Sequence, residues 1–299
     1  MTKIHIIDLK FLHEHHTVAA FLIESNNGLI LIETGPESTW SQLKTAIIRL
    51  GYDVSDVKHV LLTHIHFDHA GAAWKLAEEG ATVYVHPLGL PHLASPGRLW
   101  DSAFRIYGED MDRLWGKMEP IQPSQLKECL HEQVLDFGDV QFKALHTPGH
   151  ASHHIAWKHE DVIFTGDVAG VKINEGPVVP PCPPPDIHLE NWKASIALLK
   201  RQTTQKLYLT HFGIVDDPVV HLDRLEVILE DWALWMKRYH DQPADQKEVT
   251  EKFMAYTQQQ LKDAGLDQEN ILRYEYANPS WMSVAGLLRY WKLKEQGRL

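Results

Sequence analysis

"LLTHIHFDHAG", residues 61–71, places His64, His66, Asp68 and His69 within six positions, at the end of an apolar run and just before Gly71. A structural histidine needs one hydrogen-bond partner. Four ligating groups crowded together are costly to satisfy without an ion. The preceding "VKHVLLTH" reads as a buried strand and the following "AGAAWKLAEEG" as a helix ending at Gly80. The stretch therefore predicts a strand, a ligand-rich loop and a helix, and loops at strand ends are where layered α/β proteins put their chemistry.

Outward from this stretch, the same alternation continues. "TVAAFLIES" and "GLILIETG" are apolar strands on either side of an Asn-Asn-Gly turn, "STWSQLKTAIIRLG" has helical spacing, and "ATVYVH" is a strand again. From residue 87 to about 130 the pattern becomes helical and is broken by Pro and Gly, with Trp100, Phe104, Tyr107 and Trp115 along it. This segment reads as an insertion between two sheet blocks, its aromatic stripe serving either as core or as a wall over a site. Strands resume in "DVQFKALHT", "HHIAWKH" and "DVIFTGD". The proline-rich "GPVVPPCPPPD" (residues 176–186) then reads as a stiff connector, with a polyproline ligand as the sharper alternative. A helix "NWKASIALLKR", a strand "KLYLTH" and a helical tail complete the chain. In the tail Leu222, Leu225, Leu229, Trp232 and Met236 mark one amphipathic helix, and Trp281, Val284, Leu288 and Trp291 another. The expected organisation is a catalytic domain over residues 1–215 and a helical extension over 216–299 packed on it.

Three more ligand types stand at strand ends: His150 in "TPGHASHH", Asp167 in "FTGD" and His211 in "YLTHFG". Imidazole and carboxylate suit zinc and other borderline divalent ions, and the lack of a nearby cysteine disfavours a structural zinc-finger site. His-x-His-x-Asp-His, Thr-Pro-Gly-His, Thr-Gly-Asp and a late Thr-His, in this order, resemble the metallo-β-lactamase superfamily of hydrolases. Within it they are most similar to the glyoxalase II-like (hydroxyacylglutathione hydrolase-like) branch. The resemblance covers roughly residues 4 to 215. It implies an α/β fold, a four-layered αβ/βα sandwich with metals at one edge of two sheets.

Carried over by position, the resemblance implies one metal on His64, His66 and His150 and a second on Asp68, His69 and His211, bridged by Asp167. The cofactors it implies are two divalent ions, zinc first, with manganese or iron as alternatives. Such a centre supplies a hydroxide at neutral pH to attack a small ester, thioester or lactone, and Asp68 is the candidate to accept or relay a proton. Two departures stand out. Glu33 replaces the Asp usual in the turn after "LILI", a residue that buttresses the metal loops, and no Tyr follows Asp167, as it does in the acyl-homoserine lactonases.

Other candidates carry less. "HEHH" (residues 13–16) reads as an exposed turn, and one of His153 and His154 is expected to support a ligand. Phe67, His92, Trp100, Tyr107 and His188 are candidate substrate contacts. A formal net charge of −11 argues against nucleic acid or an anionic membrane as partner, leaving a small-molecule substrate. Only Cys129 and Cys182 occur, which excludes a disulfide framework. No run reaches the roughly 18 apolar residues of a membrane span, and a cytoplasmic location is the expectation. The competing readings are a mononuclear iron, persulfide dioxygenase-like enzyme and a non-catalytic metal-binding protein of the same fold.

Overall fold

The period-two alternation of strands assigns their faces before any helix is considered. The structure, a computed structural model, describes residues 2–242 and 244–299. The first sheet has the order β1 (Ile4–Asp8), β2 (Ala19–Ile23), β3 (Leu29–Ile32), β4 (Val57–Leu61), β5 (Thr82–Val85), β6 (Leu126–Glu128). Its first three strands are antiparallel, and β3 to β6 run parallel. The second sheet contains β7 (Val134–Asp136), β8 (Gln141–His146), β9 (Ile155–His159), β10 (Val162–Phe164), β11 (Lys206–Leu209) and β12 (Gly213–Val215) in sequence order across it. Only the β10–β11 pair in it is parallel. Helix α7 (Leu189–Lys200) lies in the crossover that this parallel pair requires.

Three apolar clusters define four layers. Phe21, Ile23, Ile30 and Ile32 of the first sheet meet Phe142, Trp157 and Phe164 of the second. The alternate residues Leu22, Leu31 and Val60 face outward, against Leu43 and Ile47 of α1 (Trp40–Arg49) and Leu76 of α3 (Ala73–Glu78). On the far side Leu145, Ile163 and Leu207 pack on Trp192 and Ile196 of α7 and on Leu222, Leu225 and Leu229 of α8 (Pro218–Asp241). The order helices–sheet–sheet–helices is the expected αβ/βα sandwich.

The segment 87–130 contains α4 (Leu90–Ala94), α5 (Gly97–Tyr107) and α6 (Met111–Leu114), but it is not wholly helical. Leu126–Glu128 add the strand β6 to the first sheet, pairing parallel with β5. In the tail, α8 buries all five residues of its apolar stripe. It is followed by α9 (Gln246–Asp263), α10 (Gln268–Ala277) and α11 (Ser280–Glu295). The buried face of α11 consists of Ser280, Ser283, Val284, Gly286, Leu287 and Tyr290; of the expected stripe Val284 is buried, Leu288 and Trp291 are partly buried against the core, and Trp281 lies off this face. Small residues allow that close approach. No helix among the described residues is long and apolar enough to cross a membrane.

Candidate metal centre

The two sheets are stitched together where the ligands lie. Trp157 Nε1 donates to the Leu62 carbonyl (3.0 Å), the Ile155 amide to Thr63 (2.7 Å) and the Ala19 amide to Thr210 (2.8 Å). His64 lies just beyond β4, and the one-turn helix α2 (Phe67–Ala70) follows His66 and carries Asp68 and His69. A Cβ on Gly71 would lie 2.4 Å from the Phe67 carbonyl and 2.9 Å from Pro36 Cα, so the turn closes only with glycine there. His150 follows β8, His211 follows β11, and Asp167 sits in a short 3₁₀ turn, Gly166–Ala169, after β10. Gly166 has φ 50°, and a Cβ there would meet Thr63 and His154 at 2.4 and 2.7 Å.

These elements bring all seven expected ligands together as two groups. His64, His66, His150 and Asp167 offer donor atoms within 4.8 Å of one another, as do Asp68, His69 and His211. In the first group Nδ1 of His66 is 2.9 Å from Nε2 of His64 and 3.1 Å from Nε2 of His150. Asp167 divides its carboxylate between the groups. Oδ2 is 3.2 Å from His150 Nε2, whereas Oδ1 is 3.3 Å from His69 Nε2 and 3.4 Å from His211 Nε2. Oδ2 of Asp68 completes the second group, 3.4 Å from His211 Nε2 and 3.6 Å from His69 Nε2.

The backing of each imidazole decides which nitrogen faces inward. Nδ1 of His150 donates to the Pro181 carbonyl (2.9 Å) and Nδ1 of His211 to the Thr17 carbonyl (2.6 Å). Nδ1 of His69 donates to Oε1 of Glu33 (3.1 Å). Nδ1 of His64 donates to Thr63 Oγ1 (3.0 Å), which donates in turn to the same Glu33 oxygen (2.5 Å). Four Nε2 lone pairs are thereby directed at the interior, the outer-atom pattern that metal-ligating histidines show. Oδ1 of Asp167 and Nε2 of His69 are buried without a hydrogen-bond partner. Orphaned donor atoms among converging lone pairs fit divalent ions, which would satisfy them all.

Charge reinforces the division. Burial drives the pKa of His64 well below its ordinary value and that of His66 down to about 3, and neighbouring imidazoles add to both shifts. His150 is lowered as well, again by burial. Burial also opposes the charged form of His69, but Asp167, Asp68 and Glu33 outweigh it and raise this pKa well above its ordinary value. His211 is raised in the same way by Asp167 and Asp68 against its burial. Burial pushes Asp68 up, yet His69 and His211 hold it at about 2.

The remaining candidates are placed more variously. Phe67 is buried against Trp100 (6.0 Å between ring centroids) and Trp115 (6.1 Å), supporting α2 from beneath. Trp115 is itself core, stacked on Phe11 at 5.4 Å, whereas Phe104 is exposed. Half-buried Tyr107 meets Trp281 of α11 (5.6 Å) and donates to Met282 Sδ (3.4 Å), and its phenol is raised by burial first and by the nearby Asp68 carboxylate second. His188 caps α7, its Nδ1 accepting the Asn191 amide at 3.3 Å, so that nitrogen is committed away from substrate. Half-buried His92 lies near His153. His153 is buried with Nδ1 unpartnered, while Nε2 of His154 accepts the Asp167 amide (3.3 Å) and Nδ1 pairs with Thr147 (2.8 Å). His13 and His15 of "HEHH" are exposed, and His16 pairs with Asn174 (2.7 Å). A surface groove of about 790 Å³, lined by Glu37, Trp74, Asp112 and Lys117 among others, contains none of the seven ligands.

Glu33, at the position expected to buttress the metal loops, is fully buried at φ 62° and accepts from Thr63, His69 and Thr210. Its longer side chain reaches both groups. Nothing in the sequence marks Thr17 or Pro181, whereas Thr63 and Thr210 each stand immediately before a ligand, His64 and His211.

With this geometry in view, comparison with known proteins decides the family. A model of the metallo-beta-lactamase superfamily matches residues 15–211. The chain belongs to that superfamily. It is 30% identical over 177 residues to the metallo-beta-lactamase fold-containing protein ST1585 of Sulfurisphaera tokodaii, covering 56% of this chain and 66% of that one. It is 24% identical over 205 residues to the atrochrysone carboxyl ACP thioesterase dmxR1 of Cryptosporiopsis, covering 66% of this chain and 49% of that one. The matched stretch thus spans less than two thirds of either relative. The metallo-beta-lactamase family protein TTHA1429 of Thermus thermophilus superposes with a TM-score of 0.70 at 20% identity, over 98% of this chain and 94% of that one.

Proposed function

We propose that this protein is a hydrolase that holds two divalent metal ions, zinc first among them, and cleaves a small ester, thioester or lactone. The observation that carries the reading is Asp167, which turns one carboxylate oxygen to each of two ligand groups. Two complete groups favour a binuclear centre over a mononuclear iron one. The order of the ligands also supports the glyoxalase II-like branch, and a relative that is a thioesterase supports an acyl-transfer chemistry.

Bound divalent ions supply Lewis acidity for a carbonyl and bring the pKa of water at the site toward ~7. This chain's residues supply the rest. His64, His66 and His150 would hold one ion, Asp68, His69 and His211 the other, and Asp167 both. Side-chain exposure is 22% for Asp68, 0% for His69 and 1% for His211, so within its group the Asp68 carboxylate is the one that meets the solvent side and, kept ionised by His69 and His211, can relay a proton without retaining it. Tyr107, near Asp68 and packed edge-on against Trp281, offers an aromatic surface for the substrate's apolar part. Zinc- and manganese-loaded protein should hydrolyse at least one member of a panel of thioesters, lactones, esters and β-lactams. Turnover of none, or oxygen consumption with a persulfide by the iron-loaded protein, would contradict the proposal.

A further inference from the structure

The chain between Asp167 and Pro181 touches ligands of both groups. It leaves Asp167, and at Lys172 its amide donates to the His211 carbonyl (2.6 Å). It turns back through the pairing of Val171 with Val179, and at Pro181 its carbonyl accepts from His150 Nδ1 (2.9 Å). One side-chain atom from outside this loop closes its two arms. The hydroxyl of Tyr274, on α10, accepts the Ile173 amide (3.1 Å) and donates to the Pro177 carbonyl (2.6 Å). Tyr274 is 3% exposed, and Gly176 passes so close that a Cβ there would lie 2.4 Å from its hydroxyl.

We propose that Tyr274 is a positioning residue of the metal centre, holding the 167–181 loop closed so that His150 and His211 stay in register with Asp167. The inference rests on the binuclear reading above. It makes the C-terminal helices part of the metal site: α10 orients ligands that it never touches. Replacing the group to which a ligating histidine donates typically costs about 10- to 100-fold in metal affinity; Tyr274 acts one step further out, through Ile173 and Pro177. Because one hydroxyl serves both arms, its loss loosens both of them at once beyond the Val171–Val179 pair.

Tyr274→Phe removes only that oxygen and keeps the buried ring. In the zinc-loaded full chain it should lower metal retention against a chelating dye by a few-fold, less than the ~10-fold loss of a direct partner, and shift the visible absorption of the cobalt-substituted protein. The control is Tyr256→Phe, which removes a hydrogen bond to Asp231 (2.7 Å) between α9 and α8. That variant should lose comparable thermal stability with metal retention and the cobalt spectrum unchanged. Should Tyr274→Phe fold poorly, Gly176→Ala presses on the same hydroxyl from the loop side and should reproduce the metal phenotype. Unchanged retention and spectrum in both loop variants would overturn the proposal, as would an equal loss in the Tyr256→Phe control. If the unmodified protein takes up fewer than two ions, the binuclear reading itself fails and the inference falls with it.

Discussion

Replacing Glu33 separates its charge from its reach. Oε1 accepts from Thr63 Oγ1 at 2.5 Å, His69 Nδ1 at 3.1 Å and Thr210 Oγ1 at 3.4 Å, all inside a fully buried pocket. Glu33→Gln keeps an acceptor oxygen but removes the charge. Hydrogen bonds to a charged group contribute about 1.5–3 kcal/mol and neutral ones about 1, so the His69 bond should lose roughly 1–2 kcal/mol, about 10-fold in ion affinity at the second group. Glu33→Asp withdraws the carboxylate by one carbon, about 1.5 Å, and puts His69 and Thr63 beyond normal hydrogen-bond range. At φ 62° aspartate is better tolerated than glutamate, so this variant tests reach without adding backbone strain. His64 is reached only through Thr63 and should be affected less. Zinc titration against a chelating dye should resolve two affinities, with the weaker one falling about 10-fold in Glu33→Gln and further in Glu33→Asp. Two affinities unchanged in both variants would refute the idea that Glu33 sets the ligands.

Asp68→Asn should lower kcat by at least ~10²-fold and weaken one ion; near-normal kcat with both ions retained would leave Asp68 as a structural ligand only. Ion uptake should depend on pH unequally. His69 and His211, raised above the ordinary histidine value, must shed protons to bind, so the second group should lose its ion first as pH falls, by up to about 10-fold per pH unit for each proton displaced. His64, His66 and His150 are lowered and stay neutral to more acidic pH; calorimetry in buffers of different ionisation heat should show more proton release for the second ion than for the first. Trp115→Ala should destabilise the fold by about 3–5 kcal/mol in denaturant melts with KM unchanged. Tyr107→Ala, beside Asp68 and only half-buried, should raise KM of whichever substrate is hydrolysed at a smaller cost in stability.

The ligands were legible because each belongs to a short polar signature that follows a strand, and the sandwich because its strands alternate or run wholly apolar. Less legible features fail for physical reasons. Three residues, "LKE", are too short a run to separate the strand β6 from the helices before it. The buried face of α11 carries Ser283 and Gly286, chosen for close approach, so hydrophobic spacing pointed to Trp281 and Trp291 instead. The acceptors behind His150 and His211 are the carbonyls of Pro181 and Thr17, and any residue type presents a carbonyl. Glu33 was visible as a substitution, but its left-handed backbone and its double reach to His69 and Thr63 are properties of the fold.

In the proposed centre Asp167 joins two ligand groups into one binuclear site. Anomalous scattering from a crystal of the zinc-loaded protein tests it directly. Two peaks are expected, roughly 3.5–4 Å apart, one enclosed by His64, His66 and His150 and the other by Asp68, His69 and His211, with an oxygen of Asp167 on each. A single peak, or a second one that Asp167 does not touch, would contradict the account.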